Sequence, residues 1–587
     1  MPSSPPNRHR PVRSAAPLIV AAAACWGCAE RPATEPLQEA SLPAGALTDA
    51  EREQYYHLTQ GAELFPYGLF TVLEDPAQPG TLLKDNLERF GFIADPSEGN
   101  CLPIGITVSH ASDLDMDMVG FNCAVCHVGE LTYQGQSMLI DGAPNLGDLF
   151  GFRDALVEAS AHLAAHPVKL WKMWKRVRHL EGSACEGTPH DESELSPEEE
   201  QQVVAADADF DDRLDDHGDR EARFDFLDGV LDEAAHLEQE ALRLEHLLAR
   251  LEMTVSYFKW ATTVETTPAG PGRADAWGAS RNMMFTPQSM DAPVTIPNLW
   301  QFEDIEWLHW IANTNGVMRR NMAEAMAFGA IWDRRSNWTS AVLENLDTLE
   351  RISYKFEPPQ WPEEILGPID RDLAARGEEI FARSCAGCHE VAPNPDGSLV
   401  SLKVVPIENI GTDRTEIDNY NRPLLGEGWQ GETNYASALA RALQGIEEQY
   451  WVDNDVPQDL RDQWAGGRPN VVWKEAITGY PARRLHGIWS TPPHLHNGSV
   501  PTLADLLKPS DCSVSPDDCR PPRFVVGTRE YDPESVGLVQ VPLDTQGAFV
   551  FDVSGKGNSN AGHEGPGYGT DLEPDDRSAL LEFLKTY

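Results

Sequence analysis

Apolar residues recur at helical spacing in three stretches of the chain. They lie at residues 242–251, where Leu242, Leu247, Leu248 and Leu251 repeat, at residues 371–381, and at residues 574–585. A repeat of this kind is typical of a helix that buries one side. The sequence therefore predicts a mainly α protein with long loops and few β-strands.

Composition narrows the class of protein. The chain has 587 residues, with 46 Lys and Arg against 93 Asp and Glu, and its formal net charge is −47. A surface this negative repels phosphate backbones and anionic headgroups, so we expect no nucleic-acid partner. An apolar content of 41% argues against a disordered chain, and the length predicts roughly two to four domain-sized units.

The amino-terminal residues have the order of an export signal. Three arginines precede residue 14, and residues 14–24 are apolar but too few to span a bilayer. The sequence Cys-Trp-Gly-Cys then resembles a lipobox in which Cys28 carries the lipid anchor. Cleavage without lipidation is the alternative. Either way we expect an exported protein that is periplasmic, anchored to the outer membrane or extracellular.

Two pentapeptides of the form Cys-x-x-Cys-His carry the candidate chemistry. They are Cys123, Cys126 and His127, and Cys385, Cys388 and His389. The two thiols of such a motif attach to the vinyl groups of a haem, and the following histidine binds the iron. The alternatives are a disulfide beside a surface histidine or a partial zinc site, but neither motif has the further ligands that zinc needs. The sequence predicts two covalently bound haem c groups.

Four further cysteines lie in the mature chain besides Cys28. In an oxidising compartment they favour two disulfides, with Cys512 and Cys519 closing a short loop and Cys101 pairing with Cys185. Four free thiols are the alternative.

The number of protein ligands on each iron decides the function, since a vacant position can bind oxygen or peroxide. The clearest source of a sixth ligand is the segment 480–507, which contains His486, His494 and His496. The last belongs to a tight polar loop, His-Asn-Gly-Ser-Val-Pro, which enters a helix near Thr502. Composition alone does not select among the three.

Several segments resemble one known family, the dihaem c-type proteins that include the bacterial rubber (latex) oxygenases and are related to the dihaem cytochrome c peroxidases. The matching segments surround both haem motifs and include GPGRADAWG, APVTIPNLW, RRNMAEAMAFG, ARRLHGIWSTPPHLHNGSVPTL and GNSNAGH. They span almost the whole mature chain.

The resemblance implies a ligand set. His127 would be the proximal ligand of an amino-terminal haem (haem 1) whose other face is open. His389 and His496 would both bind a carboxyl-terminal haem (haem 2). Trp277 resembles the tryptophan that lies between the haems in this family; core packing is the alternative role, and Trp300 is the rival residue. The peroxidase relatives also suggest a calcium ion.

One part of the resemblance fails. Residues 291–294 fall where rubber oxygenases place residues over the open haem, including an important phenylalanine. No equivalent phenylalanine is evident in this sequence. Because this phenylalanine is missing, the resemblance does not identify the substrate.

The predicted organisation has four parts. Residues 1–28 are a signal peptide, with the lipoprotein alternative, and residues 29–50 a flexible tether. Residues 51–356 form the amino-terminal haem domain, with an acidic helical insertion at about 181–255. Residues 357–587 form the carboxyl-terminal cytochrome c domain.

The resemblance implies an oxygenase that uses O2 at haem 1 to cleave carbon–carbon double bonds of polyisoprene or a similar hydrophobic alkene. An external electron donor is a further expected partner. One alternative is a dihaem peroxidase, for which His110 is the candidate acid–base residue over haem 1. The other is an electron-transfer cytochrome, which would need a sixth ligand at haem 1 as well.

Overall fold

Helices make up the larger share of the secondary structure. A computed structural model describes residues 47–164 and 264–587, apart from residues 79, 96–101, 113, 115, 467, 469 and 514. It is about 34% helical and 16% strand, and the longest strands among the described residues have six residues. The prediction of a mainly α protein is confirmed at this level. The predicted signal peptide, the predicted acidic insertion at about 181–255, Cys101 and Cys185 lie outside the described residues.

The helices follow one another in three groups. Before the undescribed stretch they are α1 (Asp49–His57), α2 (Tyr67–Phe70), a 3-10 helix (Leu83–Phe90), α3 (Ala124–His127) and α4 (Leu149–Ala164). After it come α5 (Ala276–Met284), α6 (Val317–Ala327), α7 (Leu343–Ser353) and α8 (Glu363–Leu366). The last group is α9 (Arg371–Ser384), α10 (Ala386–His389), α11 (Ile407–Ile410), α12 (Thr415–Asn421), α13 (Tyr435–Asp453), α14 (Gln458–Trp464), a 3-10 helix (Ile488–Ser490), α15 (Leu503–Leu506) and α16 (Pro574–Leu584).

Short antiparallel strands connect these helices. One sheet has the order β1 (Phe65–Pro66), β3 (Met116–Phe121), β2 (Ile106–Ala111). The strand pairs are β4 (Val128–Tyr133) with β5 (Gln136–Asp141), β6 (Arg273–Ala274) with β7 (Val294–Thr295), β8 (Val404–Pro406) with β9 (Gly479–Pro481), β10 (Arg523–Val526) with β13 (Phe549–Asp552), and β11 (Tyr531–Asp532) with β12 (Gly537–Leu538).

The helices predicted at residues 371–381 and 574–585 are both present, as α9 and α16. α9 begins after Asp370, whose side chain accepts an N–H of the first turn, and α16 begins with Pro574 in its first turn. The two helices pack against each other closely. A Cβ at Gly377 of α9 would lie 2.0 Å from the carbonyl oxygen of Ala579 in α16, so only glycine permits this approach.

One hydrophobic core joins residues of both predicted haem domains. It contains Val128 and Met138 from the first, and Ile380 and Leu580 from the second. The segment 357–362 has no helix, as expected for the connector. Helix α1 starts at Asp49, one residue before the predicted end of the tether. The domain boundaries themselves stay a prediction.

Candidate functional site

The first Cys-x-x-Cys-His motif begins where the small sheet ends. Strand β3 leads through Asn122 into Cys123, and α3 then carries Cys126 and His127. The Asn122 side chain is buried; its Nδ2 donates to two backbone carbonyls at the end of α1, and its Oδ1 accepts the first N–H of α3. This side chain therefore holds the motif against α1.

The main chain orients the imidazole of His127. Its Nδ1 donates to the carbonyl of Pro297 at 3.0 Å, which leaves Nε2 free to bind a metal ion. Burial lowers the pKa of His127 to about 4, so the ring is neutral, as ligation requires. The thiols of Cys123 and Cys126 are free, and burial raises the pKa of Cys126 to about 12.

The second motif follows α9 directly. The chain passes through Cys385 into α10, which carries Cys388 and ends at His389. His389 repeats the arrangement of the first motif, because its Nδ1 donates to the carbonyl of Arg483 at 2.7 Å. Burial lowers the pKa of His389. Both cysteines are free thiols.

A histidine that the sequence analysis did not assign lies opposite His389. The ring centroids of His389 and His563 are 6.3 Å apart. When two imidazoles bind one metal ion from opposite sides, each metal–nitrogen bond is about 2 Å long. The distance between the two ring centres is the sum of both bonds and of the distance from each nitrogen to the centre of its ring, which is about 6 Å in all. Nδ1 of His563 is buried without a hydrogen-bond partner. Burial, reinforced by His389 and Arg520, lowers the pKa of His563 to about 3.

The segment that carries His563 is held in an unusual backbone conformation. His563 has φ +52, in the left-handed region that residues other than glycine rarely adopt. The guanidinium of Arg520, which is fully buried, donates to four backbone carbonyls around this segment: Leu506, Asn560, Gly562 and His563. Strain that the surrounding structure maintains is common at functional sites.

The histidines of the predicted ligand loop have other partners. Nε2 of His496 is hydrogen-bonded to the hydroxyl of Tyr480 at 3.0 Å, and the two rings stack with centroids 4.2 Å apart. His494 is buried and its main chain pairs with Val500. His486 packs on the carboxyl-terminal tyrosine. The imidazole that the structure brings to His389 is thus that of His563, and His496 as a ligand stays a prediction from resemblance.

A cavity of about 190 Å³ lies beside His127 and opens to solvent. Most of its lining is apolar and includes Val294, Ile296, Leu299, Phe302, Ile305 and Leu308. Three phenylalanines line it, Phe121, Phe302 and Phe328. None of the three lies within residues 291–294, the segment where rubber oxygenases place a phenylalanine. From that segment, Val294 lines the cavity.

Part of the cavity wall is strongly charged. Arg320 and Glu324 of α6 and Glu350 of α7 line it, together with His309 from the preceding loop. Arg320 is paired with Glu350, and Nε2 of His309 lies 3.2 Å from Oε1 of Glu324. Burial would raise the pKa of Glu324, but His309, Arg320 and His127 lower it to about 2. The carboxylate is therefore ionised at neutral pH.

Trp277 lies in the same wall. Its ring meets that of His309 edge-on at 4.8 Å, and its Nε1 donates to Oε1 of Glu416 at 3.2 Å. Burial, opposed by hydrogen bonds from Trp277 and Tyr480, raises the pKa of Glu416 to about 8. Trp300, the rival residue, also lines the cavity, and its Nε1 donates to the carbonyl of Asp141. The family role of Trp277 stays a prediction.

Some side chains of the cavity could not be found from the sequence. His110, the candidate acid–base residue of the peroxidase alternative, is more than half exposed and pairs with Asp117 on the strands β2 and β3. Glu324 and His309 occupy the cavity wall instead. No local pattern marks either residue, because only the fold brings them to the first motif. For His563 the preceding glycine, with φ +81, was a weak signal of a tight turn.

The residues fit covalently bound haem at both motifs. Each motif has two free thiols and a histidine whose Nε2 is unoccupied, because its Nδ1 donates to a carbonyl. The first motif opens on a cavity, and the second faces a further imidazole with an unpaired nitrogen. Among the described residues no group of three or more His, Cys, Asp or Glu side chains is arranged to hold a metal ion, so calcium stays an expectation. No described helix is long and apolar enough to cross a membrane.

Comparison with known proteins identifies relatives. Residues 479–513, the segment with the three histidines, match a family described as RoxA-like, cytochrome c-like. The chain is 30% identical over 611 residues to the uncharacterized protein y4iJ of Sinorhizobium fredii (strain NBRC 101917 / NGR234), and the match covers 92% of each chain. It is 26% identical over 319 residues to the uncharacterized protein y4iM of the same strain, over 50% of this chain and 64% of y4iM.

Proposed function

This chain belongs to the RoxA-like, cytochrome c-like family, and from that membership we propose that it is a dihaem oxidoreductase of the rubber-oxygenase type. Its substrates would be O2 and polyisoprene or a similar hydrophobic alkene. The covalent haem c that a cytochrome c-like domain implies supplies the redox-active iron. The protein supplies attachment, orientation and the shape of the site.

One observation carries the proposal: the cavity beside His127 is mostly apolar and opens to solvent. An apolar polymer segment is stabilised there by about 25 cal/mol for each Å² that leaves water. The reaction balances without further reactants, because one C=C bond breaks, both atoms of O2 end in two C=O groups, and no proton or electron is consumed overall. Such a reaction needs an apolar wall that aligns the double bond.

In this proposal His127 would hold haem 1, and His389 and His563 would hold haem 2. The assignment of His563 replaces that of His496, whose Nε2 is hydrogen-bonded to Tyr480. Trp277, in the wall of the haem 1 cavity, would assist electron exchange between the two haems. The chemistry that a haem held by His389 and His563 would supply is electron transfer.

Oxygen uptake on polyisoprene latex tests the activity. We expect the purified holoprotein to consume O2 without added peroxide and to release fragments that end in aldehyde and ketone groups. His127→Ala should lose this activity, whereas His110→Ala, at an exposed position, should keep it. No uptake by the wild type, together with turnover of peroxide, would refute the oxygenase proposal.

Electron paramagnetic resonance of the ferric protein tests the ligands. We expect one high-spin signal from haem 1 and one low-spin signal from haem 2. His563→Ala should convert the low-spin signal to high spin, and His496→Ala should leave it unchanged. Haem content, measured as pyridine haemochrome, should stay equal because the thioether bonds remain. The reverse pattern would restore His496 and overturn the assignment.

Peroxide reduction is the second candidate function, and the charged wall of the cavity favours it. Reduction of one peroxide to two waters consumes two protons and two electrons, which a reduced small c-type cytochrome could supply. Ionisable residues beside a haem are useful for proton transfer, and an alkene dioxygenase has no net need of them. The latex experiment with and without peroxide separates the two functions.

Export is the remaining part of the proposal. The order of arginines, apolar residues and Cys28 supports a lipoprotein whose mature part works outside the cytoplasm. Cys28→Ala should move the protein from the membrane fraction to the soluble exported fraction. Equal membrane retention of the variant would exclude a lipid anchor at this residue.

A further inference from the structure

Three arginines of the described residues line the cavity at the first motif: Arg320, Arg483 and Arg484. Arg320 is paired with Glu350. The two terminal nitrogens of Arg484 donate to the two carboxylate oxygens of Asp304, at 2.7 and 2.8 Å. Arg483 differs from both, because among the described residues no carboxylate lies within ion-pair distance of its guanidinium.

The protein holds the guanidinium of Arg483 in a fixed position. Its Nη2 donates to the carbonyl of Asn298 at 3.1 Å, and its central carbon lies 4.9 Å from the ring centroid of Trp310, over the ring. The indole of Trp310 in turn donates to the carbonyl of Thr295 at 2.7 Å. An arginine has five N–H donors, so this stacked cation keeps most of them for a further acceptor.

The charge of this guanidinium has no counter-charge from the protein. The side chain of Arg483 is half-buried, and burial lowers its pKa to about 10 with no acidic group to oppose the effect. The guanidinium is therefore still a cation at neutral pH. Because a cation that is withdrawn from water without a partner is unfavourable, an anionic group in the cavity would be stabilised beside it.

A haem attached at the first motif carries such anions. Its two propionate carboxylates lie on the edge of the ring opposite to the vinyl groups that react with the thiols. Besides burial, the charge of Arg483 lowers the pKa of His127. Burial and Glu324 raise the pKa of Cys126 to about 12, and Arg483 does not act on it. The guanidinium therefore lies nearer to the imidazole than to this thiol, as a partner for the propionate edge must.

We propose that the guanidinium of Arg483 binds a propionate carboxylate of the haem attached at the first motif. Bonds between a guanidinium and a carboxylate are charge-assisted and often bidentate. Arg483 thereby fixes the edge of the haem that the thioether bonds do not hold. It also neutralises an anion in a mostly apolar cavity, where an unpaired carboxylate would attract water. The inference rests on the proposed function only in that a haem is attached at this motif.

An isotope label makes the propionates visible. δ-Aminolevulinate with ¹³C at its carboxyl carbon, supplied during expression, labels the haem only at the propionate carboxyl carbons. Infrared difference spectra between the ferric and ferrous holoprotein, recorded while the high-spin haem 1 is reduced, then identify its carboxylate bands by their shift with the label. The position of these bands depends on the charge and the hydrogen bonds at the carboxylate.

Two substitutions separate charge from packing. Arg483→Gln keeps an N–H donor for the carbonyl of Asn298 but removes the charge, whereas Arg483→Lys keeps the charge. We expect a labelled band to shift in Arg483→Gln and to stay close to its wild-type position in Arg483→Lys. Arg484→Gln is the matched control and should leave the bands unchanged, since Arg484 is already paired with Asp304. Unchanged bands in Arg483→Gln would overturn the inference, and so would equal shifts in both Arg483 variants.

Further results keep the outcome decisive. If the variants do not fold, a crystal structure of the wild-type holoprotein decides, because a propionate without a hydrogen bond to Arg483 refutes the inference and a bonded one supports it. Oxygen uptake on latex together with unchanged bands in Arg483→Gln would refute the inference alone. A shifted band in a protein that consumes no oxygen on latex would refute the proposed function alone. A protein mass that shows no haem on Cys123 and Cys126 would contradict both.

Discussion

Replacement of Arg520 by methionine should release the segment that carries His563. The arginine is fully buried and donates to four backbone carbonyls, whereas methionine fills similar space and donates to none. Each carbonyl left unsatisfied in the interior costs about 1–3 kcal/mol. Four such groups at the lower limit give a loss of about 4 kcal/mol in the free energy of unfolding.

The loss should also appear at the second motif. Two of the four carbonyls belong to Gly562 and His563, so the His563 ring should lose its fixed distance to His389. We expect guanidinium unfolding at a lower midpoint, and a partial change of the low-spin ferric signal to high spin.

Arg523→Met is the matched control. Arg523 lies three residues away, and about half of its side chain is exposed next to Asp552. Exposed substitutions usually change stability by less than about 0.5 kcal/mol, so the control should unfold like the wild type and keep its spectrum. Equal unfolding midpoints for the Arg520 and Arg523 variants would refute the reasoning, as would an unchanged low-spin signal in Arg520→Met.

Three other substitutions have expected outcomes. Burial raises the pKa of Glu416 from its ordinary 4.5 to about 8. Folding therefore favours the protonated acid. The contribution of this group to the free energy of unfolding, roughly 4–5 kcal/mol, is present below pH 4.5 and is lost as the pH rises to 8. Glu416→Gln should flatten this decline in pH-dependent denaturation. Cys512 and Cys519 form the predicted disulfide. Replacement of both residues by serine should lower the free energy of unfolding by about 2 kcal/mol. Gly377→Ala should lower the free energy of unfolding by about 1–3 kcal/mol, measured by thermal unfolding, because the added Cβ would clash with the carbonyl of Ala579.

Each of these has an opposing result. A pH profile that is equally steep in Glu416→Gln would mean that another group causes the decline. Equal stability of the oxidised wild type and the double serine variant would show that the loop adds nothing. An alanine at Gly377 that leaves the melting temperature unchanged would mean that α9 and α16 can separate without cost.

Local chemistry was predictable from the sequence. The Cys-x-x-Cys-His spacing identified both motifs because thiol attachment and ligation involve one turn of chain. The helices α9 and α16 and the disulfide between Cys512 and Cys519 were predicted for the same reason, since each depends on residues close together in sequence. The match at residues 479–513 then supported the resemblance.

Long-range placement was not predictable in the same way. The loop around His496 has the polar turn expected of a ligand, yet its imidazole faces Tyr480. The ring beside His389 comes from His563, 174 residues later, and its position depends on carbonyls gathered by Arg520. Similarly, Glu324 reaches the cavity of His127 from α6, and His309 reaches it from the loop before this helix. Placements of this kind depend on the fold and not on a local sequence pattern.

The carbonyl groups that orient His127 and His389 belong to segments that are connected by a hydrogen bond. Arg483 accepts the Nδ1 hydrogen of His389 with its carbonyl, and its guanidinium donates to the carbonyl of Asn298 at 3.1 Å. Asn298 follows Pro297, whose carbonyl accepts the Nδ1 hydrogen of His127. One half-buried arginine therefore links the two main-chain carbonyls that orient the imidazoles of His127 and His389. A shift of this arginine would alter both imidazoles together, so the two sites are built as one unit although their motifs lie far apart in the sequence.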